Sequence, residues 1–277
     1  MGRLVVAAAP LGNFRDASER LRTAIGNAEF VAAEDSRKFA RLCSDLQINC
    51  TAKVISFFEG NEQDRLSDLK SALQKYKNVL LITDAGMPGV SDPGYRAVAM
   101  AIENGFAIEV LPGPSAVITA LVLSGLPSDR FTFEGFLPRT EGARAEALSN
   151  LAEESRTMIF FEAPHRIGEF LNSALQEFGE SRSAAICREM TKTYEEVVRG
   201  TLAELATWSA SKEMLGEFTI VIAGFSPTGT EYSEDEIANL VKRYEAAGIA
   251  RKEAIAMVAK ELSIPKRSVF DVMVKNK

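Results

Sequence analysis

Short apolar runs alternate with amphipathic stretches through the first half of the chain. Between the runs, segments such as Glu62–Tyr76 repeat apolar residues at helical spacing, and Asp16 with Glu19 resembles a capping box at the start of the first helix. This alternation favours a parallel sheet wrapped by helices. The runs predict strands at Leu4–Ala8, Phe30–Ala33, Val54–Ser56, Val79–Thr83 and Ile108–Leu111.

The pattern changes after about residue 126, where the predicted strands are more widely spaced and indicate a second α/β lobe with a mixed sheet. A linker-like stretch, Ser226–Thr230, follows, and two helical segments at Ile249–Leu262 and Lys266–Val274 then resemble a helix-turn-helix. A helical cap or a dimerisation element would fit this tail as well. The second-lobe strands are predicted at Thr132–Phe136, Met158–Phe161, Ala184–Cys187 and Phe218–Ala223. We therefore predict an N-terminal lobe over 1–114, a C-terminal lobe over 115–226 and a helical domain over 232–277.

One loop, Thr83–Gly94, concentrates three glycines, two prolines and two aspartates directly after a buried strand. Glycine allows close approach of the main chain to a ligand, and proline restricts the loop to fewer conformations. An ordinary connection needs only two or three such residues. Other unusual loops, including Pro112–Ser115, also follow predicted strands, so we expect them to meet in one cleft at the carboxyl edge of the sheet.

Composition restricts the class of protein. The chain of 277 residues is 46% hydrophobic, has no apolar run near eighteen residues and begins directly with a predicted strand, which predicts a cytoplasmic protein without membrane association. Cys43, Cys50 and Cys187 are odd in number and lack metal-ligand spacing, so neither a disulfide framework nor a metal site is expected.

Charge is unevenly distributed along the chain. The formal net charge is −6, yet the segment from Tyr232 onward carries 9 Lys and Arg against 7 Asp and Glu. The remainder is therefore strongly acidic. Such a body would need a localised basic surface to hold RNA, because phosphate attraction supplies most of the sequence-independent affinity.

The loops also limit the choice of ligand. The sequence has neither G-x-x-x-x-G-K-[ST] nor G-x-G-x-x-G after a strand, which disfavours a P-loop nucleotidase and a Rossmann dehydrogenase. Backbone groups and a few carboxylates suit adenine, a ribose diol and an amino-acid moiety, and S-adenosylmethionine contains all three. Ser115 and Ala116 stand at a predicted helix start, where free amides can meet such a ligand.

Seven ordered motifs resemble the tetrapyrrole-methylase superfamily, and more narrowly its small-subunit ribosomal RNA 2′-O-methyltransferase I branch. The resemblance implies a two-lobed tetrapyrrole-methylase-like α/β fold, S-adenosylmethionine between the lobes, a homodimer, and methylation of a cytidine ribose in the decoding region of small-subunit (16S) RNA. The motifs are VAAAPLGN (6–13), AEDSR (33–37), TDAGMPGVSDPG (83–94), LPGPSA (111–116), GLPSDRFTFEGFLP (125–138), FEAPHR (161–166) and REMTKTYE (188–195).

The resemblance also assigns residues by position. The chain departs from the family pattern at Ala9 and Met87, where threonine is usual, and it lacks two histidines common near Phe58 and Gly60. These changes affect the substrate side more than the cofactor side. The implied cofactor contacts are Asp84, Ala85, Gly86, Met87, Pro88, Ser115, Ala116, Glu162 and Met190.

A ribose hydroxyl is a weak nucleophile, so a carboxylate or imidazole should take its proton, assisted by a cation. Our candidates are Glu189, His165 and Glu62, with Lys192 as the cation. A lone histidine is often structural, and Glu189 beside Arg188 could be a simple ion pair. Candidate RNA contacts are the basic residues Arg37, Arg139, Arg166, Lys266 and Arg267.

Two other functions remain open at this stage. One is a methyltransferase that acts on a tetrapyrrole ring carbon, and the other is an S-adenosylmethionine-sensing regulator whose helical tail binds DNA. The AEDSR and FEAPHR motifs disfavour the first. Loss of DNA binding on deletion of the tail would identify the second.

Overall fold

The computed structural model describes residues 2–226, 233–262 and 266–275. The chain divides into two compact units, Met1–Ala223 and Gly224–Lys277. The first unit contains two α/β lobes and the second contains helices. The predicted fold class is confirmed.

The first lobe is a parallel five-stranded sheet in the order β3-β2-β4-β1-β5. Its central strands are buried on both faces because helices cover both sides, as their continuous apolar runs predicted. The first and second helices pack on one face and the third and fourth on the other. The strands are β1 Arg3–Ala7, β2 Phe30–Ala33, β3 Lys53–Ser56, β4 Asn78–Ile82 and β5 Ala107–Leu111, and the helices are α1 Glu19–Gly26, α2 Ser36–Asp45, α3 Glu62–Lys75 and α4 Tyr95–Glu103.

The start of α1 differs from the prediction. Asp16 lies in a short 3-10 turn, Phe14–Asp16, and Ser18 caps the helix because its hydroxyl accepts a hydrogen bond from the Leu21 amide at 3.0 Å. The predicted capping box was therefore wrong. The extra turn moves the first residue of the helix beyond Asp16.

The second lobe is a mixed sheet in the order β6-β7-β10-β8-β9, in which only β6 and β7 run parallel. The strand β9 was not predicted, because it is a half-buried edge strand whose apolar pattern is interrupted by Arg199 and Gly200. The strands are β6 Phe131–Phe136, β7 Thr157–Glu162, β8 Ser183–Arg188, β9 Glu196–Thr201 and β10 Phe218–Ile222, and the helices are α5 Ala116–Ser124, α6 Glu141–Ser149, α7 Ile167–Phe178 and α8 Leu202–Ala210.

Helix α5 belongs structurally to the second lobe. Val117 and Leu121 pack against Ile159, Cys187 and Val221 on one face of that sheet. The remaining three helices of the lobe cover its other face. The predicted border between the lobes, at 114/115, lies in the connection between β5 and α5.

The second unit contains three described helices, α9 Glu234–Ala246, α10 Arg251–Glu261 and α11 Lys266–Lys275. Ile237 and Val241 pack with Val258 and Val269 in a small core of its own. The two predicted helices are present, whereas α9 was missed despite a capping box formed by Ser233 and Glu236. Most of the predicted linker, and the predicted turn at 263–265, lie outside the described residues.

None of the described helices is long and apolar enough to cross a membrane.

Candidate active site

A cavity of about 430 Å³ lies between the two lobes of the first unit. The first lobe contributes residues that follow β2 and β4, and the second contributes the end of β7 and the start of β10. The loops at the carboxyl edge of the parallel sheet therefore meet at one cleft, as the sequence predicted. Open α/β sheets bind ligands at this edge.

Eight of the nine predicted cofactor contacts line this cavity. Pro88 is not among the lining residues. Glu162 and Met190 come from the second lobe, so both lobes supply part of the predicted set. The eight are Asp84, Ala85, Gly86, Met87, Ser115, Ala116, Glu162 and Met190.

The loop after β4 is held by main-chain hydrogen bonds. Gly86 exchanges two bonds with Ala9, at 2.8 and 3.0 Å, and the Gly89 amide donates to the Pro93 carbonyl at 3.1 Å. Gly94 has a φ of 138°, and a Cβ there would lie 3.1 Å from the Gly89 nitrogen. The glycine is needed because a side chain would be both strained and crowded.

Glu62 lies behind this loop. It is the first residue of α3, is buried, and accepts a hydrogen bond from the Gly94 amide through Oε1 at 3.0 Å. It is not among the residues that line the cavity. Its carboxylate therefore fixes the far end of the Asp84 loop.

The carboxylates of the first lobe form a connected network beside the cavity. The Asp84 amide donates to Glu34 Oε2 at 3.0 Å, and Asp84 accepts from the Asp35 amide at 3.1 Å. Lys38 Nζ lies 2.9 Å from Asp84 Oδ2, and this hydrogen bond raises the pKa of Lys38. Burial is the main cause of the raised pKa of Glu34. The Asp84 carboxylate is thus held by a main-chain amide and a cation of its own lobe.

Asp92, which was not among the predicted site residues, also lines the cavity. Burial, followed by the negative charges of Glu34, Asp84 and Glu217, raises the pKa of Asp92 to about 7. Desolvation and like charges both disfavour the ionised carboxylate. A carboxyl group with this pKa can accept or release a proton near neutrality.

A second network lies on the opposite lobe. Lys192 Nζ lies 2.9 Å from both Glu189 Oε1 and Glu217 Oε2, and Glu189 also accepts from the Glu217 amide at 3.0 Å. Burial lowers the pKa of Lys192, but its bonds to these carboxylates outweigh burial, so the pKa is raised. Burial likewise raises the pKa of Glu189, but its hydrogen bonds and the nearby cations lower it overall. Glu217 lines the cavity, whereas Glu189 and Lys192 do not.

A hydrogen bond also joins the two lobes close to the second network. The Asn13 amide, in the first loop of the chain, donates to Thr191 Oγ1 at 3.1 Å. This bond connects the loop after β1 to the loop after β8. Thr191 directly precedes Lys192, so this contact lies beside the Lys192 network.

The FEAPHR motif places its three polar residues in different environments. The Glu162 side chain is fully buried, accepts from the Ala163 amide at 2.8 Å, and has a raised pKa caused mainly by burial. Arg166 Nη2 lies 3.3 Å from Glu162 Oε2 without hydrogen-bond geometry, and it donates to the Leu137 and Pro138 carbonyls. His165 is exposed and is not a lining residue.

The predicted RNA contacts lie in different local surroundings. Arg37 and Arg139 are exposed on the first unit, and Arg37 pairs with Asp35 at 2.7 Å. Arg166 is directed into the protein by the contacts just described. Lys266 is exposed at the start of α11 in the second unit, and the Arg267 side chain lies outside the described residues.

The chain is similar in sequence to a known protein family. The model of the tetrapyrrole (corrin/porphyrin) methylases matches residues 3–206. The chain belongs to this methylase family. Proteins named ribosomal RNA small subunit methyltransferase I are similar over the whole chain, and this relationship confirms the resemblance found in the motifs. It also confirms the predicted cofactor, S-adenosylmethionine, as that of the family.

Two relatives and one solved structure show the extent of similarity. The relative from Mycobacterium tuberculosis is 46% identical over 100% of this chain and 96% of its own length. That from Halalkalibacterium halodurans is 37% identical over 98% and 94%. Uroporphyrin-III C-methyltransferase from Thermus thermophilus, solved with S-adenosyl homocysteine, has a TM-score of 0.55 and 18% identity over 80% of this chain and 97% of its own. The last comparison shows a shared fold.

Four charged residues that line the cavity were missing from the sequence prediction: Glu34, Lys38, Asp92 and Glu217. Glu34 and Asp92 lie inside two of the recognised motifs, AEDSR and TDAGMPGVSDPG. The motifs therefore place them near the cleft but do not indicate that their side chains line it. Lys38 and Glu217 lie outside the recognised motifs. Lys38 reaches the cavity beside Asp84 of the same lobe, whereas Glu217 is contributed by the second lobe.

Proposed function

We propose that this methylase transfers a methyl group to the ribose 2′-hydroxyl of a cytidine in the decoding region of small-subunit (16S) ribosomal RNA. The observation that carries the proposal is the 46% identity, over the full chain, to a protein named ribosomal RNA small subunit methyltransferase I. The ribose oxygen and the decoding-region cytidine come from the motif resemblance. With this substrate we expect the protein to act in the cytoplasm.

The cavity is the proposed site of S-adenosylmethionine. The main chain at Ala85 and Ala116, which line the cavity, can offer polar contacts of the kind that suit adenine and ribose, while Asp84 and Glu162 offer carboxylates. Met190 supplies an apolar wall from the second lobe. When bound, the cofactor supplies an electrophilic methyl group on a sulfonium.

The protein would contribute mainly by orientation. The Asp84 loop is fixed by Ala9 and by Glu62, so ligands held on it have little freedom to move. Correct alignment of two reactants can supply about 7–11 kcal/mol of a barrier. Arg37 and Arg139, exposed on this unit, and Lys266 of the helical unit are the proposed contacts to RNA phosphates.

We also propose that the protein is a homodimer. Helix α5 is apolar almost throughout, and Ile118 and Val122 remain 47% and 72% exposed while its other face is packed. An exposed apolar stripe on a helix is typical of an interface. Val122→Glu should shift the sedimentation coefficient from dimer to monomer, and an unchanged coefficient would rule out this face.

The substrate is tested by mass mapping of RNA. Small ribosomal subunits that lack the modification are incubated with the protein and S-adenosylmethionine. Their RNA is then cut with a nuclease, and the masses of the fragments are measured by mass spectrometry. We expect one fragment to be heavier than its untreated counterpart by one methyl group, with that methyl group on the ribose. Methylation of a base, or of no fragment, would contradict it.

A parallel assay addresses the two alternatives. A tetrapyrrole methylase would label a porphyrinogen rather than RNA under the same conditions. A regulator would bind duplex DNA and lose that binding when residues 232–277 are deleted. The proposed enzyme should instead retain cofactor binding and lose affinity for the ribosomal subunit after this deletion.

A further inference from the structure

The segment from Gly89 to Gly94 presents Asp92 to the cavity on a closed loop. The loop is closed at its base, where the Gly89 amide donates to the Pro93 carbonyl at 3.1 Å. Glu62 holds the Gly94 amide at 3.0 Å from behind. Both glycines have positive φ angles, 86° and 138°, so this conformation is specific to the sequence. The position of Asp92 is therefore set by the scaffold.

Asp92 differs from the other acidic groups of the cavity. Asp84 pairs with Lys38, Glu217 pairs with Lys192, and Glu162 accepts from a main-chain amide. Within the described residues, the Asp92 carboxyl forms no hydrogen bond and no ion pair. Its oxygens are free to meet a ligand hydroxyl.

The charged groups around Asp92 come from three elements. Glu34 follows β2, Asp84 follows β4, and Glu217 precedes β10, and each raises the pKa of Asp92 in addition to burial. Lys38 is the one cation among the described lining residues, and it is engaged by Asp84. With a pKa of about 7, Asp92 is partly ionised at neutral pH. That value suits a general base, whose efficiency is greatest when its pKa lies near the operating pH.

We propose that Asp92 is the proton acceptor for the ribose hydroxyl and that Glu62 is a positioning residue that holds the Asp92 loop. The inference rests on the proposed function, because it requires a hydroxyl substrate in this cavity. The hydroxyl oxygen forms a bond to the methyl carbon as the carbon–sulfur bond breaks, and that bonding pair stays on sulfur. The hydroxyl proton passes to Asp92, which later releases it to solvent.

The candidates selected from sequence fit this role less well. Glu189 already accepts bonds from Lys192 and from the Glu217 amide, and it lies outside the cavity lining. His165 is exposed and also lies outside it. Glu62 is turned away from the cavity by its bond to Gly94.

The test compares Asp92→Asn with wild type on small subunits, measuring kcat/KM from pH 5.5 to 8.5 and cofactor affinity by calorimetry. Wild-type kcat/KM should rise with pH to a plateau above about 7. The variant should be slower by on the order of 100- to 10,000-fold, lose this rise and retain cofactor affinity. Asp64→Asn, an exposed carboxylate on α3, is the matched control and should behave as wild type.

Three other results would contradict the role of Asp92. Wild-type methylation of subunits together with an unchanged Asp92→Asn profile would overturn the inference and leave the proposed function standing. Loss of cofactor affinity in Asp92→Asn would assign the carboxyl to cofactor binding and would also overturn it. Failure of wild type to methylate ribose would remove the proposed function and the inference together.

Glu62 is tested by a pair of variants. Glu62→Gln retains Oε1 as an acceptor for the Gly94 amide, whereas Glu62→Ala removes it. We expect the glutamine variant to keep most of the activity and the alanine variant to lose on the order of 10-fold or more, both with the wild-type pH profile. A glutamine variant as impaired as Asp92→Asn would make Glu62 the base and overturn the inference.

Discussion

Gly12 lies directly against the side chain of Lys192. A Cβ on Gly12 would lie 2.3 Å from Lys192 Cγ and 3.1 Å from its Cε, so the lysine stem crosses the space that any other residue would fill. Gly12 belongs to the first loop of the chain and Lys192 to a loop of the second lobe. The contact explains why the loop after β1 requires glycine although its φ is not in the left-handed region.

Gly12→Ala should displace Lys192 from Glu189 and Glu217. The expected cost is about 1 kcal/mol in the free energy of unfolding, because both ion pairs are partly solvated. Urea denaturation measures this cost. Gly142→Ala is the control, since no atom lies within 4 Å of a Cβ at that helical position, and it should be neutral or stabilising. Equal stability of the two variants would show that Lys192 adapts freely.

Asp84→Ala should weaken binding of S-adenosylmethionine by about 100-fold while the fold is retained. The reason is the loss of a carboxylate that lines the cavity and orders Lys38 and the Asp35 amide. Calorimetric titration gives the affinity, and circular dichroism checks the fold. Asp64→Ala serves as the exposed control. Undiminished affinity of Asp84→Ala would exclude the predicted contact.

Glu189→Gln should slow methyl transfer without weakening cofactor binding. The substitution removes the charge that holds Lys192 beside Glu217, while Glu189 itself lies outside the cavity lining. A decrease of about 10-fold in single-turnover rate is expected for a displaced charged group. Glu213→Gln, an exposed carboxylate on the same lobe, should have no effect. Wild-type turnover in Glu189→Gln would remove this network from the mechanism.

Asp92→Asn should stabilise the folded protein above pH 7. The pKa of Asp92 in the folded protein is about 7, above its usual value of 3.8, so the folded protein binds this proton more tightly than the unfolded chain does. Stability therefore falls as pH rises between these values, and the loss is complete above about 7. Removing the charge should recover on the order of 1 kcal/mol after allowance for partial exposure, or roughly 2–4 °C in melting temperature.

This stability effect is measured by thermal denaturation at pH 5 and pH 8. The variant should melt higher than wild type at pH 8, with a smaller difference at pH 5. Asp64→Asn should show no such pH dependence. A lower melting temperature for Asp92→Asn at both pH values would mean that its carboxylate is stabilised by contacts, contrary to its isolation within the described residues.

Local pattern was enough to predict most elements. The apolar runs of β1, β2 and β4 are continuous because these strands are buried on both faces, and the glycine and proline loops mark the strand ends. Other elements have a weaker hydrophobic pattern in the sequence. The strand β9 and the helix α9 were missed, and α1 begins at Glu19, three residues after Asp16.

The sequence by itself determined the two-lobed α/β fold, the cleft at the carboxyl ends of the strands and the methylase family, because each depends on local order along the chain. Only the tertiary structure decided which acidic groups are free and which are engaged. Glu62 and Asp92 are both carboxylates in or beside loops that follow strands. Glu62 accepts a hydrogen bond from the Gly94 amide behind the loop, whereas Asp92 lines the cavity without a partner among the described residues. Burial and charge depend on residues that are distant in sequence, such as Glu34 and Glu217, and these meet only when the chain folds.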